Sequence, residues 1–308
     1  MPYSGDLFER VANAPEVPQG LPLIVLLTGF TDAGGAVAGL MEHLHELPDS
    51  APLLVFDNDA LLDYRARRPV ISFEHDHLTD YRPARLELAL MKDALGQKFL
   101  VLSGYEPDFA WNSFTDAVLD LAEQYRVSGM TWVHAIAMPV PHTRAMGTTV
   151  SGNRSELVAA HSVWKPRTQV PATVGHLLEY RFAERGDTVV GFVLLVPHYL
   201  AETEHPGAVM VAADRVMTAT GLVFSMDSVR EREKGYLTRV QEQVEHNDEL
   251  QAMIATLEQR HDAYMAGRDS NAAEQIDEES LPSADELAAE LERYLANRRP
   301  GDEGKDSH

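Results

Sequence analysis

The chain has 308 residues, 44% hydrophobic and 24% charged, an ordinary balance for a globular protein long enough to bury a large core. Its 48 acidic and 26 basic residues leave a net charge of −22, which argues against gripping a phosphate backbone while leaving room for one basic pocket. With no cysteine, disulfides, thiolate catalysis and cysteine-based zinc sites are excluded.

The first 20 residues are dotted with proline and read as a segment lying over the surface. Leu21–Leu44 then carries the strongest local signal. Leu23–Leu27 is an unbroken apolar run of strand length, and Gly29, Gly34 and Gly35 bracket Phe30, Thr31 and Asp32. Val37, Leu40, Met41 and Leu44 follow at helical spacing. A strand feeding a helix through a glycine turn opens an α/β fold, and such turns lie at the carboxyl ends of strands, where ligands bind. The turn lacks the G-x-G-x-x-G of dinucleotide sites and the Gly-Lys-Ser/Thr of a P-loop. The N–H groups at the helix start suit an anion. Asp32 would repel one; it reads either as a helix cap or as a residue with a further functional role.

Pro52–Asp57 reads as a second strand, completing a parallel crossover of about 35 residues. His43 and Glu46 share one side of the intervening helix and read as a solvated face. Leu86–Lys92 and Lys98–Ser103 form a hairpin pattern around Leu95-Gly96-Gln97, apolar enough to need packing on the sheet or on another subunit. Phe114–Tyr125 is helical, Thr131–Ala137 a strand and Thr148–Ser151 a short strand. Val174–Ala183 is helical, Thr188–Val196 a buried strand, and Pro206–Thr220 a helix closed by Gly221. The elements alternate, which predicts an α/β three-layer sandwich with a mostly parallel sheet over residues 1–226, with a hairpin inserted near 86–103.

From Val229 to Ala266 there is no proline, and apolar residues keep 3–4 spacing, as in one long helix or a helix pair. From Asp227 onward the sequence holds 21 acidic and 10 basic residues, half of the net charge. Arg268–Leu281 is polar and acidic, a composition that favours mobility. Ser283–Glu286 is a capping box opening a short helix, within a C-terminal helical region over 227–298; residues 299–308 read as a disordered tail. The apolar pattern is too short for a sustained coiled coil, so packing on the parent domain is expected.

Four segments follow strands and converge on one end of the sheet: 29–35, 57–69, 139–144 and 197–200. They supply the candidate ligand-binding residues Gly29, Phe30, Asp32, Gly34, Arg65, Arg68, His142, Arg144, His198 and Tyr199. His142 and His198 each follow a proline that stiffens the turn; either serves as a general base or bonds loop backbone. Arg65, Arg67, Arg68 and Arg144 either grip an anion or pair with acidic neighbours. No G-x-S-x-G elbow exists, and no base, nucleophile and orienting residue assemble into a catalytic set. Two histidines without a fixed carboxylate define no metal site, and no cofactor is expected.

GFTDAGGA, the DYRARRP run, VPHTR, SGNR, VPHYL and the late SADELAAELERYL, taken in order, resemble the bacterial branch of the proteasome assembly chaperone 2 family from about Pro22 to about Leu295. The resemblance implies a phosphorylase/hydrolase-like core, acidic helices closing as a lid over the pocket, and the 86–103 hairpin as an oligomer contact, with a homotrimer expected. It also implies a noncatalytic role, since eukaryotic relatives help assemble proteasome rings. The expectation is therefore a chaperone-like oligomer that binds a protein partner, proteasome-related proteins among them, or a ligand at the strand-end pocket. The alternative is an enzyme or sensor holding an anionic or nucleoside-like ligand under the lid. With no apolar run of about 18 residues and no basic-then-apolar N-terminus, a cytoplasmic protein with neither membrane nor nucleic acid as partner is expected.

Overall fold

A computed structural model of the chain describes residues 7–165 and 167–270, with side chains to residue 267. Its frame is an eight-stranded sheet. The strands are β1 (Phe8–Arg10), β2 (Pro22–Thr28), β3 (Ala51–Phe56), β6 (Leu86–Lys92), β7 (Lys98–Tyr105), β8 (Gly129–Met138), β9 (Thr148–Gly152) and β10 (Val189–Pro197). Their order is β1-β3-β6-β7-β2-β8-β10-β9. The central strands β7, β2, β8 and β10 are mutually parallel, and β3 runs the same way; β1, β6 and β9 run against them. The apolar runs of β2 and β10 are explained by this position, since strands covered on both faces have no polar side to show.

The two covering layers are helical. On one face, α1 (Ala36–His45) contributes Val37, Leu40 and Leu44, and α6 (Pro206–Thr220) contributes Ala212, Ala213 and Val216. They pack on Ile24, Leu26, Val133 and Leu194. On the other face, α3 (Trp111–Gln124) contributes Phe114, Val118 and Leu121, and α5 (Val174–Arg185) contributes Leu178 and Phe182. They pack on Leu23, Val25, Leu102 and Met130. This is the α/β three-layer sandwich with a mainly parallel sheet that the alternating pattern predicts.

Two short helices were not anticipated: α2 (Asn58–Leu61), capped by Asp57, and α4 (Ser155–His161). The expected hairpin over 86–103 does form, but β6 and β7 lie inside the main sheet, buried along almost their whole length. A strongly apolar pair of strands is stable there because helices cover both its faces. The segment that stands apart is β4 (Val70–Glu74) with β5 (His77–Arg82), which pair only with each other. The expected solvated face at His43 is likewise revised: His43 is buried on α1, whereas Glu46 is exposed.

The proline-free stretch forms a helix pair, α7 (Asp227–Glu245) and α8 (Asp248–Ser270). Tyr236 and Val240 of α7 bury with Leu200, flanked by Tyr199 and Val244. The capping box at 283–286, its helix and the 299–308 tail lie outside the described residues.

Candidate functional site

The carboxyl ends of β7, β2, β8 and β10 form one rim, and the sheet parts there. β2 pairs with β8 only from Pro22–Gly129 to Val25–Trp132. Beyond that point β2 continues against β7 to Thr28, while β8 continues against β10 to Met138. The chain leaves β2 toward β3 on one side, and reaches β8 from β7 on the other. This is a topological switch point, where open α/β sheets leave a crevice.

The glycine turn closes one side of the rim. Gly34 has φ +68°, and a Cβ there would lie 2.9 Å from Cβ of His205 and 3.3 Å from Val196. Its N–H donates to Ala201 O at 2.7 Å, and its carbonyl accepts from His205 N–H at 2.8 Å. Asp32 is the cap of α1: its two carboxylate oxygens accept from Val37 and Ala38 N–H, each at 2.8 Å. The partners lie five and six residues on because a 3-10 turn, Ala33–Gly35, precedes the helix. Burial pushes the Asp32 carboxyl up, and these N–H groups pull it back. The helix start is thus already occupied by a carboxylate of the chain itself.

The loops after β8 and β10 join this side. Tyr199 Oη accepts from His142 N–H at 2.8 Å and lies 2.7 Å from His142 Nδ1. Burial pushes Tyr199 up to about 12, and burial lowers His142 against the opposing pull of Glu258. His198 is half-buried, its ring edge-on to Tyr199 at 5.4 Å. Glu258 on α8 accepts from Thr143 Oγ1 and pairs with Arg144 at 3.1 Å. His205 packs on the Tyr236 ring at 4.8 Å, and burial, with His142 adding, pushes it down to about 4.

The other side of the rim holds the crevice. It is lined by Phe30, Thr31, Glu106, Trp132, His134 and Thr173, among others, and its volume is about 10 Å³, room for roughly one water. Thr31 Oγ1 lies 3.1 Å from His134 Nε2. Burial pushes His134 down to about 4, with His176 adding to the effect. Glu106 accepts from Val174 N–H at 2.6 Å at the start of α5; burial raises its carboxyl, against the pull of that N–H and of Arg67. Gly29 has no side chain because a Cβ there would meet Cβ of Glu106 at 2.7 Å. Arg67 donates to Glu106 O at 2.6 Å, pairs with Asp108 and lies over the Tyr105 ring at 5.3 Å. Phe30 is 58% exposed at the mouth, and Phe109, in the loop after β7, is 52% exposed.

Of the sequence candidates, Asp32, Gly34, His142, Arg144, His198 and Tyr199 therefore gather on the glycine-turn side, and Gly29 and Phe30 border the crevice. Arg65 and Arg68 are exposed, whereas their neighbour Arg67 turns inward to Glu106. Glu106, His134 and Thr173, which line the crevice, are not among the sequence candidates. His134 carried a usable signal, a titratable residue inside the apolar run 131–137. Glu106 carried none, because its partner Val174 N–H is 68 residues away. Among the described residues no group of three or more metal-ligating side chains assembles, and no helix is long and apolar enough to cross a membrane.

Comparison with known proteins agrees with this architecture. A protein of unknown function from Corynebacterium glutamicum is 32% identical, with a TM-score of 0.81 over 84% of this chain and 98% of that one. A Mycobacterium tuberculosis protein of unknown function is 34% identical, with a TM-score of 0.80 over 86% of this chain and 92% of that one. A proteasome-assembly chaperone homologue, also from Mycobacterium tuberculosis, shares the fold at 19% identity and a TM-score of 0.69, over 76% of this chain and 100% of its own. Among curated proteins, none matches. The model of the PAC2 family matches residues 26–244, most of the sheet, its helices and α7. The chain belongs to the PAC2 family.

Proposed function

We propose that this protein is a noncatalytic, chaperone-type oligomer that docks a protein partner on the strand-end rim, with proteasome subunits as the first partners to test. The observation that carries this reading is the contrast between surface and cavity at the rim. The crevice has room for about one water, while Phe30 and Phe109 stand 58% and 52% exposed beside it. Aromatic side chains presented around a shallow cleft suit a protein surface better than an enclosed small molecule. The family adds weight, because one structural neighbour is a proteasome-assembly chaperone homologue and another an archaeal proteasome activator. In this reading α7 and α8 act as the lid over the glycine-turn side, held through Tyr236 and Glu258, and the protein works in the cytoplasm.

The test is binding of the full chain to purified proteasome core subunits, read by co-sedimentation and by the rate of ring assembly. Complex formation that is lost in the Phe30→Ala/Phe109→Ala double variant is expected. Absence of any complex with the wild-type chain sinks the proteasome reading.

One contact favours a second reading, an enzyme or sensor. The Thr31 hydroxyl faces a neutral His134 imidazole, the pairing by which a base activates a hydroxyl. A thermal shift of several degrees with a nucleoside or small anion, abolished in Thr31→Val, would favour it over partner docking.

A further inference from the structure

We propose that the crevice where β2 and β8 part is a binding site for one primary ammonium group, carried by a lysine side chain of the docked partner. The inference rests on the docking reading of the rim and names the group that the rim takes hold of. Its anchor is Glu106, which is 9% exposed and lines the crevice. One carboxylate oxygen, Oε1, accepts from Val174 N–H at 2.6 Å, and Oε2 has no hydrogen-bond partner among the described residues. A buried carboxylate costs free energy until its oxygens are bonded. Arg67 does not supply the missing bond, because it donates to the Glu106 backbone carbonyl and pairs with Asp108. Burial accordingly raises the Glu106 carboxyl, and a bound cation would bring it down.

Size and lining select the ligand. The space is about 10 Å³, room for one water-sized group. An ammonium head is a compact charge with three donors and no acceptor, whereas a guanidinium is a broad planar fork. Lysine therefore fits where arginine does not. An anion would meet the Glu106 carboxylate. A metal ion would find too few ligands, since no group of three or more assembles among the described residues. His134 and His176 are both lowered by burial, so near pH 7 they add no positive charge to compete. The hydroxyl-bearing Thr31 and Thr173 line the same wall. Trp132 spends its N–H on Glu179 at 2.6 Å and borders the crevice with its ring. Phe30, exposed at the mouth, is placed to cover the alkyl stem of the side chain. The net charge of −22 draws basic partners toward the chain.

The experiment is calorimetric titration of the full chain with n-butylammonium chloride and with a capped glycine-lysine-glycine peptide. The arginine and acetyl-lysine forms of the peptide, and putrescine, are titrated beside them. Butylammonium and the lysine peptide are expected to saturate one site, with the lysine peptide about tenfold or more tighter than its arginine or acetyl-lysine form. Glu106→Gln keeps an amide oxygen for Val174 N–H, and is expected to lose about tenfold or more in affinity with an unchanged far-ultraviolet spectrum. Phe30→Ala, at the surface, is expected to lose roughly two- to fivefold. No saturable binding to the wild type, a Glu106→Gln variant that binds like wild type, or acetyl-lysine bound as tightly as lysine overturns the proposal. Putrescine that binds while the lysine peptide fails overturns the choice of a partner's lysine in favour of a free amine. A proteasome complex that survives Glu106→Gln overturns this contact and leaves the docking reading standing. Lysine-peptide binding without any proteasome complex sinks the proteasome reading and leaves the ammonium site.

Discussion

On the glycine-turn side of the rim, polar groups are consumed in holding loops together: Asp32 caps α1, Gly34 bonds both Ala201 and His205, and Tyr199 bonds His142. On the crevice side, β2 and β8 part, and Thr31, His134 and Glu106 face a small space beside an exposed Phe30. Both sides are built from loops leaving parallel strands at the same end. They differ because the β10–α6 loop packs directly against the glycine turn, whereas the gap between β2 and β8 keeps a small space lined by Thr31, His134 and Thr173. Convergence of polar residues at strand ends is thus as compatible with structural closure as with a binding site.

The comparison breaks most readily at the glycines. Gly34→Ala combines a left-handed backbone with a Cβ 2.9 Å from His205, and is expected to cost about 3 kcal/mol, read by denaturant unfolding. Gly29→Ala puts a Cβ 2.7 Å from Cβ of Glu106, an equally tight contact, but lacks the left-handed backbone, so it should cost less by that strain alone, about 1 kcal/mol. Equal losses for the two would erase the distinction between the sides.

Acid titration probes both sides at once. His134 and His205, one on each side, are held down to about 4 from an ordinary 6.5 by burial. The unfolded chain takes up these protons as pH falls through 6.5, while the folded chain refuses them until about 4. Stability is therefore full above 6.5 and declines between 6.5 and 4, by roughly 3 kcal/mol for each imidazole. Asp32, Glu106 and Glu179, raised by burial, act in the opposite sense and offset part of the loss at the acidic end. His134→Gln should flatten the slope in this window; an unchanged slope would mean that this imidazole is not buried neutral.

A smaller effect separates capping from ligand binding at Asp32. Asp32→Ala should destabilise by about 1 kcal/mol, and Asp32→Asn by less, because an amide oxygen still accepts one of the two N–H groups. A stabilising Asp32→Ala would indicate a carboxylate kept for binding at the expense of folding. The smallest effect is Glu258→Gln, which loosens a half-exposed pair with Arg144. A few tenths of a kcal/mol is expected, seen as faster amide exchange in α8 with no change in the core.

How much of this could be read beforehand depends on how local each feature is. The strand 23–27, the glycine turn, the helix 206–220 and its glycine stop were legible, because hydrophobic period and backbone demands act within a dozen residues. Asp32 was legible as a cap, although not the five- and six-residue offsets, which depend on the 3-10 turn. The hairpins were harder. Leu86–Tyr105 was recognisable as a strand pair, yet its place inside the sheet depends on pairing with β3 and β2, which no local pattern encodes. The exposed hairpin over 70–82 was passed over because its apolar residues are interleaved with charged ones.

The amino-acid sequence by itself determined the alternation of strands and helices, the acid excess, the absence of thiol chemistry and the family likeness, all properties of neighbouring residues or of composition. Tertiary structure alone decided which strands became neighbours, and so which carboxylate met which helix start. Glu106 at Val174 and Glu258 at Arg144 are contacts across 68 and 114 residues. Their geometry follows from where the sheet parts and how α8 returns to the rim, and long-range packing sets both.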